Sequence, residues 1–240
     1  MRFSASRIGD LLAKGSGKTA QSYILDLALQ TIGIKDDLQT AAMRHGLVNQ
    51  HNAFELLVKP FFPEAKWHDE SILIDERCSA SPDVLIGNVP LDIKCPYNVD
   101  NFFEQCENVP KKYYLQVQMQ MLATKASEGY LLFYLSKPEV FGEENWEEYP
   151  VAIEERYKLF RYDADADIQG EIMEAVDKYH PLKLQVIDLL TNAKILGWLE
   201  YFMLQKNGYA LRPLKEASNL FNLSEVFRVN DKFYYLKSKF

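Results

Sequence analysis

Residues 81–96 read SPDVLIGNVPLDIKCP, two β-rich runs joined by Gly87-Asn88. A Gly at the first central position of a two-residue loop predicts a type II′ hairpin, because that turn needs a positive φ there. Ile86 then faces Val89, Val84 faces Leu91, and Asp83 faces Asp92. Counting outward from the turn, 86:89 is a hydrogen-bonded pair and 85:90 is not, so Pro90 loses no bond to this partner. By the same count 83:92 is a non-bonded pair, with Cα atoms about 4.5 Å apart. Two carboxylates directly opposite each other repel unless something neutralises them.

Side chains alternate along a strand, so Asp92 and Lys94 share one face while Leu91, Ile93 and Cys95 point to the other, toward a core. One face is charged and the other packs. A divalent cation would neutralise the paired acids, and two carboxylates completed by waters is an arrangement that Mg²⁺ accepts. A lysine beside such a cation can position a water or stabilise negative charge developing on a phosphate. The bare spacing is equally compatible with a solvated hairpin; turn, register and Lys94 together favour a site.

The bulk of the chain is ordinary for a globular protein: 240 residues, 48% hydrophobic, 25% charged. No apolar run reaches the ~18 to 20 residues of a membrane span. The N-terminus MRFSASRIGD lacks the order of a signal peptide, so a cytoplasmic location is expected. Cys78, Cys95 and Cys106 form no CxxC pair, which argues for reduced thiols over a disulfide framework or a four-cysteine metal site. The net charge of −7 is uneven. Lys+Arg against Asp+Glu is 7 to 5 in residues 1–60, 13 to 26 in 61–200, and 7 to 3 in 201–240. A uniformly basic surface is excluded, while local phosphate-facing patches are not.

Along the chain, Ser4 or Ser6 can cap a helix to about Leu12, and helical spacing of apolar residues runs through TAQSYILDLALQTIG to Gly33. A helix from about Leu38 to Val58, ended by Pro60, precedes the strand cluster. KKYYLQVQMQMLATKAS reads as a helix, GYLLFYLS as a buried strand, KPEVFGEENWEEYP as a linker, and VAIEERYKLFRY as a strand. A long helix is predicted over 165–205, and VFRVNDKFYYLK as a hairpin turning at Asn230 and Asp231. The order predicts an α/β (α+β) fold, with residues 1–205 as the main domain and 206–240 as a C-terminal appendage packed on it.

SPD followed by LDIKCP resembles the PD-(D/E)XK nuclease signature, and specifically the phage λ exonuclease and YqaJ-type viral recombinase family. YLQVQ at 114–118 is similar to that family's helix with an active-site glutamine. SAS at 4–6 is similar to its N-terminal TAS element, and RHGLVNQHNA to its helix bearing Gly, an acid four residues on, then Ala. These elements span residues 2–135 in the family's order. The resemblance implies a restriction-endonuclease-like core, a central mixed sheet flanked by helices. It also implies a Mg²⁺-dependent 5′-to-3′ exonuclease on double-stranded DNA ends, with Mn²⁺ able to substitute. Such enzymes are often toroidal trimers working with a single-strand annealing protein in recombination. Asp83, Asp92 and the Ile93 carbonyl would hold the metal, Lys94 would orient the attacking water with support from Gln116, and Ser6 would contact the terminal 5′-phosphate.

Two departures matter. Gln50 stands where the family usually has a metal-binding Glu, so it can offer a carbonyl oxygen but no charge; His51 or Glu55 are the neighbouring candidates to replace it. The family's upstream phosphate-binding arginine would fall before Met1, leaving Arg2, Arg7, Lys14 or Lys18 for that task. The Gln50 change keeps open a nuclease-fold DNA-binding or recombination protein with weakened catalysis, and a structure-specific endonuclease on the same core is a further alternative. GSGKT at 15–19 resembles the end of a P-loop, but the pattern needs Gly where Leu12 stands. Gln116 and Gln120 lie one helical turn apart on a shared face, with Gln118 off it.

Overall fold

The computed structural model describes residues 1–15, 17–34, 40–136, 152–207 and 209–237. In chain order its main elements are α1 (Lys18–Thr31), α2 (Ala41–Ala53), β1 (Lys66–Trp67), β2 (Ile72–Leu73), β3 (Cys78–Ala80), β4 (Val84–Ile86), β5 (Val89–Lys94), α3 (Val99–Glu107) and α4 (Lys111–Thr124). There follow β6 (Glu128–Tyr134), β7 (Tyr157–Asp163), α5 (Ala166–Thr191), β8 (Lys194–Ile195), α6 (Trp198–Lys206), β9 (Ala210–Pro213), β10 (Phe227–Val229) and β11 (Lys232–Lys237). No helix among the described residues is long and apolar enough to cross a membrane. The chain divides into two compact units, one of residues 4–9 and 37–172, the other of residues 1–3, 10–36 and 173–240.

The first unit is built on a five-stranded mixed sheet in the order β1-β4-β5-β6-β7. β5 is central, antiparallel to β4 and parallel to β6. The β4–β5 hairpin has the register expected from its turn, Ile86↔Val89 and Val84↔Leu91, with Gly87 at φ 64°. Alternation gives the sheet two unlike faces. Leu91 and Ile93 are fully buried with Leu132 and Tyr134 against Ala53, Phe54, Leu57 and Val58. On the opposite face Leu131 and Phe133 pack with Val117 and Met121 of α4 and Phe102 of α3. Burying a side chain such as Leu91 or Ile93 contributes about 1.5–3 kcal/mol. The register of β5 is therefore fixed, because a one-residue slip would put Asp92 into the apolar layer.

The helix begun by α2 starts with the Thr40 hydroxyl accepting from the Met43 N–H at 3.2 Å. It does not stop before Pro60: a π turn over Phe54–Val58 leads into a last segment, Lys59–Phe61. Pro60 stands in the first turn of that segment, where a missing N–H does least harm. NVDNFFEQCE, whose pattern does not announce a helix, forms α3, with Asn98 capping it by accepting from the Asn101 N–H at 2.8 Å. The linker-like stretch 137–150 lies outside the described residues.

In the second unit the long helix expected over 165–205 is two helices. Residues 194–195 leave the helix to pair in parallel with Phe227 and Arg228, completing a sheet in the order β9-β11-β10-β8. α6 restarts after Gly197, whose N–H donates to Glu200 at 2.8 Å. The hairpin at Asn230 and Asp231 is present, with Val229↔Lys232 and Asn230 at φ 54°. Residues 206–237 thus supply three of the four strands of this unit's sheet. The three cysteines are free, and burial pushes the thiols of Cys78 and Cys95 up to about 12.

The contact of α4 with β6 is tightest at Gly129. A Cβ there would lie 2.9 Å from Val117 Cγ1 and from Met121 Cγ. Gly129→Ala is expected to destabilise the protein by about 1–3 kcal/mol through overpacking, read as a lower denaturant midpoint at unchanged slope.

Candidate active site

The β4–β5 ladder ends one pair short of Asp83. The last cross-strand pair is Val84↔Leu91, and the next N–H that β5 turns toward β4 belongs to Ile93. A backbone acceptor would have to come from Pro82. Instead the Asp83 carboxylate takes that N–H, Oδ2 accepting from Ile93 N at 2.6 Å. Asp83 and Asp92 are therefore not a simple cross-strand pair: the Asp83 side chain folds toward the backbone of β5.

Asp92 projects from the opposite edge of the same opening, toward α4, and is buried. Its Oδ1 accepts from Gln116 Nε2 at 2.5 Å and from Gln120 Nε2 at 2.8 Å. Its Oδ2 lies 2.8 Å from Lys94 Nζ, which also sits 5.0 Å from the centre of the Tyr113 ring. Gln120 keeps its N–H on Asp92 while leaving its own Oε1 buried with no partner among the described residues. Asp92 Oδ2, beside Lys94, likewise accepts no hydrogen bond among the described residues, so Lys94 meets it as an ion pair.

From the other side α2 delivers Gln50. Its Nε2 donates to the Ile93 carbonyl at 2.9 Å and to Asp83 Oδ2 at 3.3 Å. One turn earlier, buried His45 lies 2.9 Å from Ser136 Oγ and its carbonyl accepts from Asn49 at 2.8 Å, which anchors α2 beside the sheet. The neighbours considered as replacements for an acid at 50 do other things. Glu55 pairs with Lys59 at 3.2 Å, and the His51 ring packs on Trp67.

The structure thus brings Gln50, Asp83, Asp92, the Ile93 backbone, Lys94 and Gln116 into one cluster. Gln120 joins them, and its four-residue spacing from Gln116 is the signal that could have found it. Gln118 faces away, donating to the Asp163 carbonyl and accepting from the Asp165 N–H, both at 2.9 Å. Ser6 is exposed in a 3₁₀ turn over Ala5–Arg7 that packs against α4, with its hydroxyl 3.2 Å from that of Ser4; Arg7 is half-buried in the same turn. Arg2, Lys14 and Lys18 are exposed and belong to the other unit.

Electrostatics follow from the packing. Burial, reinforced by the charge of Asp92, raises Asp83 from 3.8 to about 7, against the opposing pull of Lys94 and the Ile93 N–H. Burial works to lower Lys94, but the charges of Asp92 and Asp83 outweigh it and the net direction is upward, so the ammonium stays charged.

The model of the YqaJ-like viral recombinase domain matches residues 1–127, more than half of the chain. The chain belongs to that family. No curated protein matches it in sequence. Among solved structures, an alkaline exonuclease (LHK-Exo) from Laribacter hongkongensis is similar with a TM-score of 0.65 and 23% identity, covering 79% of this chain and 91% of that one. A phage-related exonuclease from Haemophilus somnus 129PT is similar with a TM-score of 0.67 and 15% identity, covering 78% and 96%. These likenesses show the shared fold, the PD-(D/E)XK nuclease core.

A family of metal-dependent nucleases implies a divalent metal. Among the described residues no three His, Cys, Asp or Glu side chains come together as a metal site, and the side chain at position 50, bonded to Asp83, is an amide. Two carboxylates and a backbone carbonyl remain at the opening, all hard oxygen donors, and that set fits one small divalent cation completed by water.

The raised Asp83 pKa has a consequence for the metal-free protein. Below pH about 4 the carboxyl is protonated folded or unfolded; between about 4 and about 7 only the unfolded chain releases the proton, so stability falls; above about 7 the loss is complete. Asp83→Asn removes this loss. In EDTA its melting temperature is expected to gain on wild type by at least about 3 °C between pH 4 and 7.5, then hold constant. A difference independent of pH would contradict the assignment.

Proposed function

We propose that this chain is a Mg²⁺-dependent deoxyribonuclease, a 5′-to-3′ exonuclease on double-stranded DNA ends that acts in phage-type recombination, with Mn²⁺ able to substitute. The observation that carries this reading is the opening at the end of β5. There Gln50 bridges Asp83 Oδ2 and the Ile93 carbonyl, and Asp92, whose charge acts on Asp83, pairs with the Lys94 ammonium. In this reading Asp83, Asp92 and the Ile93 carbonyl hold the cation. Bound there, the cation would supply Lewis acidity toward the scissile phosphate and ease ionisation of a water near neutral pH.

Lys94 donates toward the attacking water and stabilises negative charge on the phosphate; its pairing with Asp92 keeps the ammonium charged and aimed. Gln116 holds Asp92 in the orientation this requires and supports the water. Ser6 contacts the terminal 5′-phosphate, while Arg2, Arg7, Lys14 and Lys18 hold backbone phosphates by charge. The same reading takes a host cytoplasm as the setting, a homo-oligomer, trimeric by family, as the working form, and a single-strand annealing protein as partner.

A second reading is favoured by Gln50, whose amide occupies acceptors on Asp83 and Ile93: a DNA-end-binding recombination protein with weakened catalysis. One experiment separates them. Linear 5′-phosphorylated duplex DNA is expected to be digested in Mg²⁺ while a covalently closed circle survives. Lys94→Ala should lower the rate by at least about 10²-fold in a protein that still folds and still binds DNA ends, although buried Asp92 loses its charge partner and the melting temperature falls. Retained turnover in Lys94→Ala would sink the assignment. End binding without digestion in Mg²⁺ or Mn²⁺ would support the second reading, and digestion of the circle would mean an endonuclease.

A further inference from the structure

Gln50 does more than lack a charge. Its amide nitrogen is directed at the Ile93 carbonyl, at 2.9 Å, and at Asp83 Oδ2, at 3.3 Å. A backbone carbonyl can only accept, so the side chain makes this bond with its N–H₂ end inward and its Oε1 turned elsewhere. The partial positive charge of that N–H₂ stands where a cation would draw the same two oxygens.

We propose that the Gln50 side-chain amide is a tethered competitor for the divalent cation, satisfying the Ile93 carbonyl and Asp83 until a cation displaces it. The inference rests on the reading of Asp83, Asp92 and the Ile93 carbonyl as cation ligands. Its physical basis is the exchange each partner makes. Without the amide, a half-buried carboxylate and a backbone carbonyl would be left with fewer donors; with it, cation binding must first break two hydrogen bonds. The Gln50 bonds go to Asp83 and Ile93 and not to Asp92, whose Oδ1 accepts from Gln116 and Gln120 and whose Oδ2 pairs with the Lys94 charge. The site is therefore held together when empty, and loading it turns Gln50 outward. An acid at this position would act in the opposite sense, adding charge for the cation in place of a donor against it.

The test is direct binding to the metal-free full chain without DNA, counting free Mn²⁺ by its electron paramagnetic resonance signal. Gln50→Ala removes a potential oxygen ligand and also the competing donor. If the amide competes, Gln50→Ala binds Mn²⁺ about three- to tenfold more tightly than wild type, the equivalent of about one hydrogen bond. Affinity that is unchanged or weaker overturns the inference. Asp92→Asn separates this failure from failure of the site itself. If Asp92→Asn abolishes binding while Gln50→Ala leaves it unchanged, only the competition is wrong. If Asp92→Asn binds like wild type, the cation lies elsewhere and both fall.

A measurement on the unsubstituted chain guards against a variant that folds poorly. In a Mg²⁺ titration followed by ¹⁵N NMR, the side-chain N–H₂ pair of Gln50 is expected to shift toward solvent-exposed values as the site fills, while the Gln120 pair moves less. A Gln50 pair that stays in place at saturating Mg²⁺ overturns the inference.

Discussion

The site depends on one hydrogen bond, from the Ile93 N–H to the Asp83 carboxylate at 2.6 Å. Where the β4–β5 ladder ends, a central strand has a backbone donor to satisfy, and an unpaired buried N–H is costly. The acid of the neighbouring strand meets that need with its side chain. This draws Asp83 to the backbone of β5, beside the Ile93 carbonyl that Gln50 also engages and within reach of the charges of Asp92 and Lys94. Charge and backbone are therefore positioned by the same bond.

The two faces of β5 do different physical work. Leu91 and Ile93 lock the strand into the apolar layer beneath α2, so Asp92 and Lys94 have no freedom to exchange faces. On the α4 side a buried carboxylate would be unfavourable alone; two glutamine amides donate to its Oδ1 and the lysine ammonium offsets its charge at Oδ2. Among the described residues the amides of Gln50, Gln116 and Gln120 each donate within the cluster, while Gln120 Oε1 and Asp92 Oδ2 accept no hydrogen bond. Its net charge is left to the cation, since Lys94 offsets one of the two acids and burial with Asp92 nearby holds Asp83 close to neutrality.

Much of this was legible in residues 81–96. The Gly-Asn turn determines the hairpin register, register determines parity, and parity puts the acid and the lysine on one face. The four-residue spacing of Gln116 and Gln120 already places both amides on one side of α4. Other features depend on interactions that no local pattern encodes. The early end of the ladder reflects a side chain outcompeting backbone at Asp83. The helix that runs past Pro60 relies on a π turn. The break after α5 exists because Lys194 and Ile195 find partners at Phe227 and Arg228, over thirty residues away in the chain. Position 50 was legible as a missing charge; that its amide would face the Ile93 carbonyl required the packing of α2 on the sheet.

The most direct test of this account is a crystal structure of the chain grown with Mn²⁺, with data collected at the manganese absorption edge. The account expects one anomalous peak bounded by Asp83, Asp92 and the Ile93 carbonyl, with the Ile93 N–H still held by Asp83. A protein saturated with Mn²⁺ that shows no peak at the end of β5, or shows it away from both carboxylates, would contradict it.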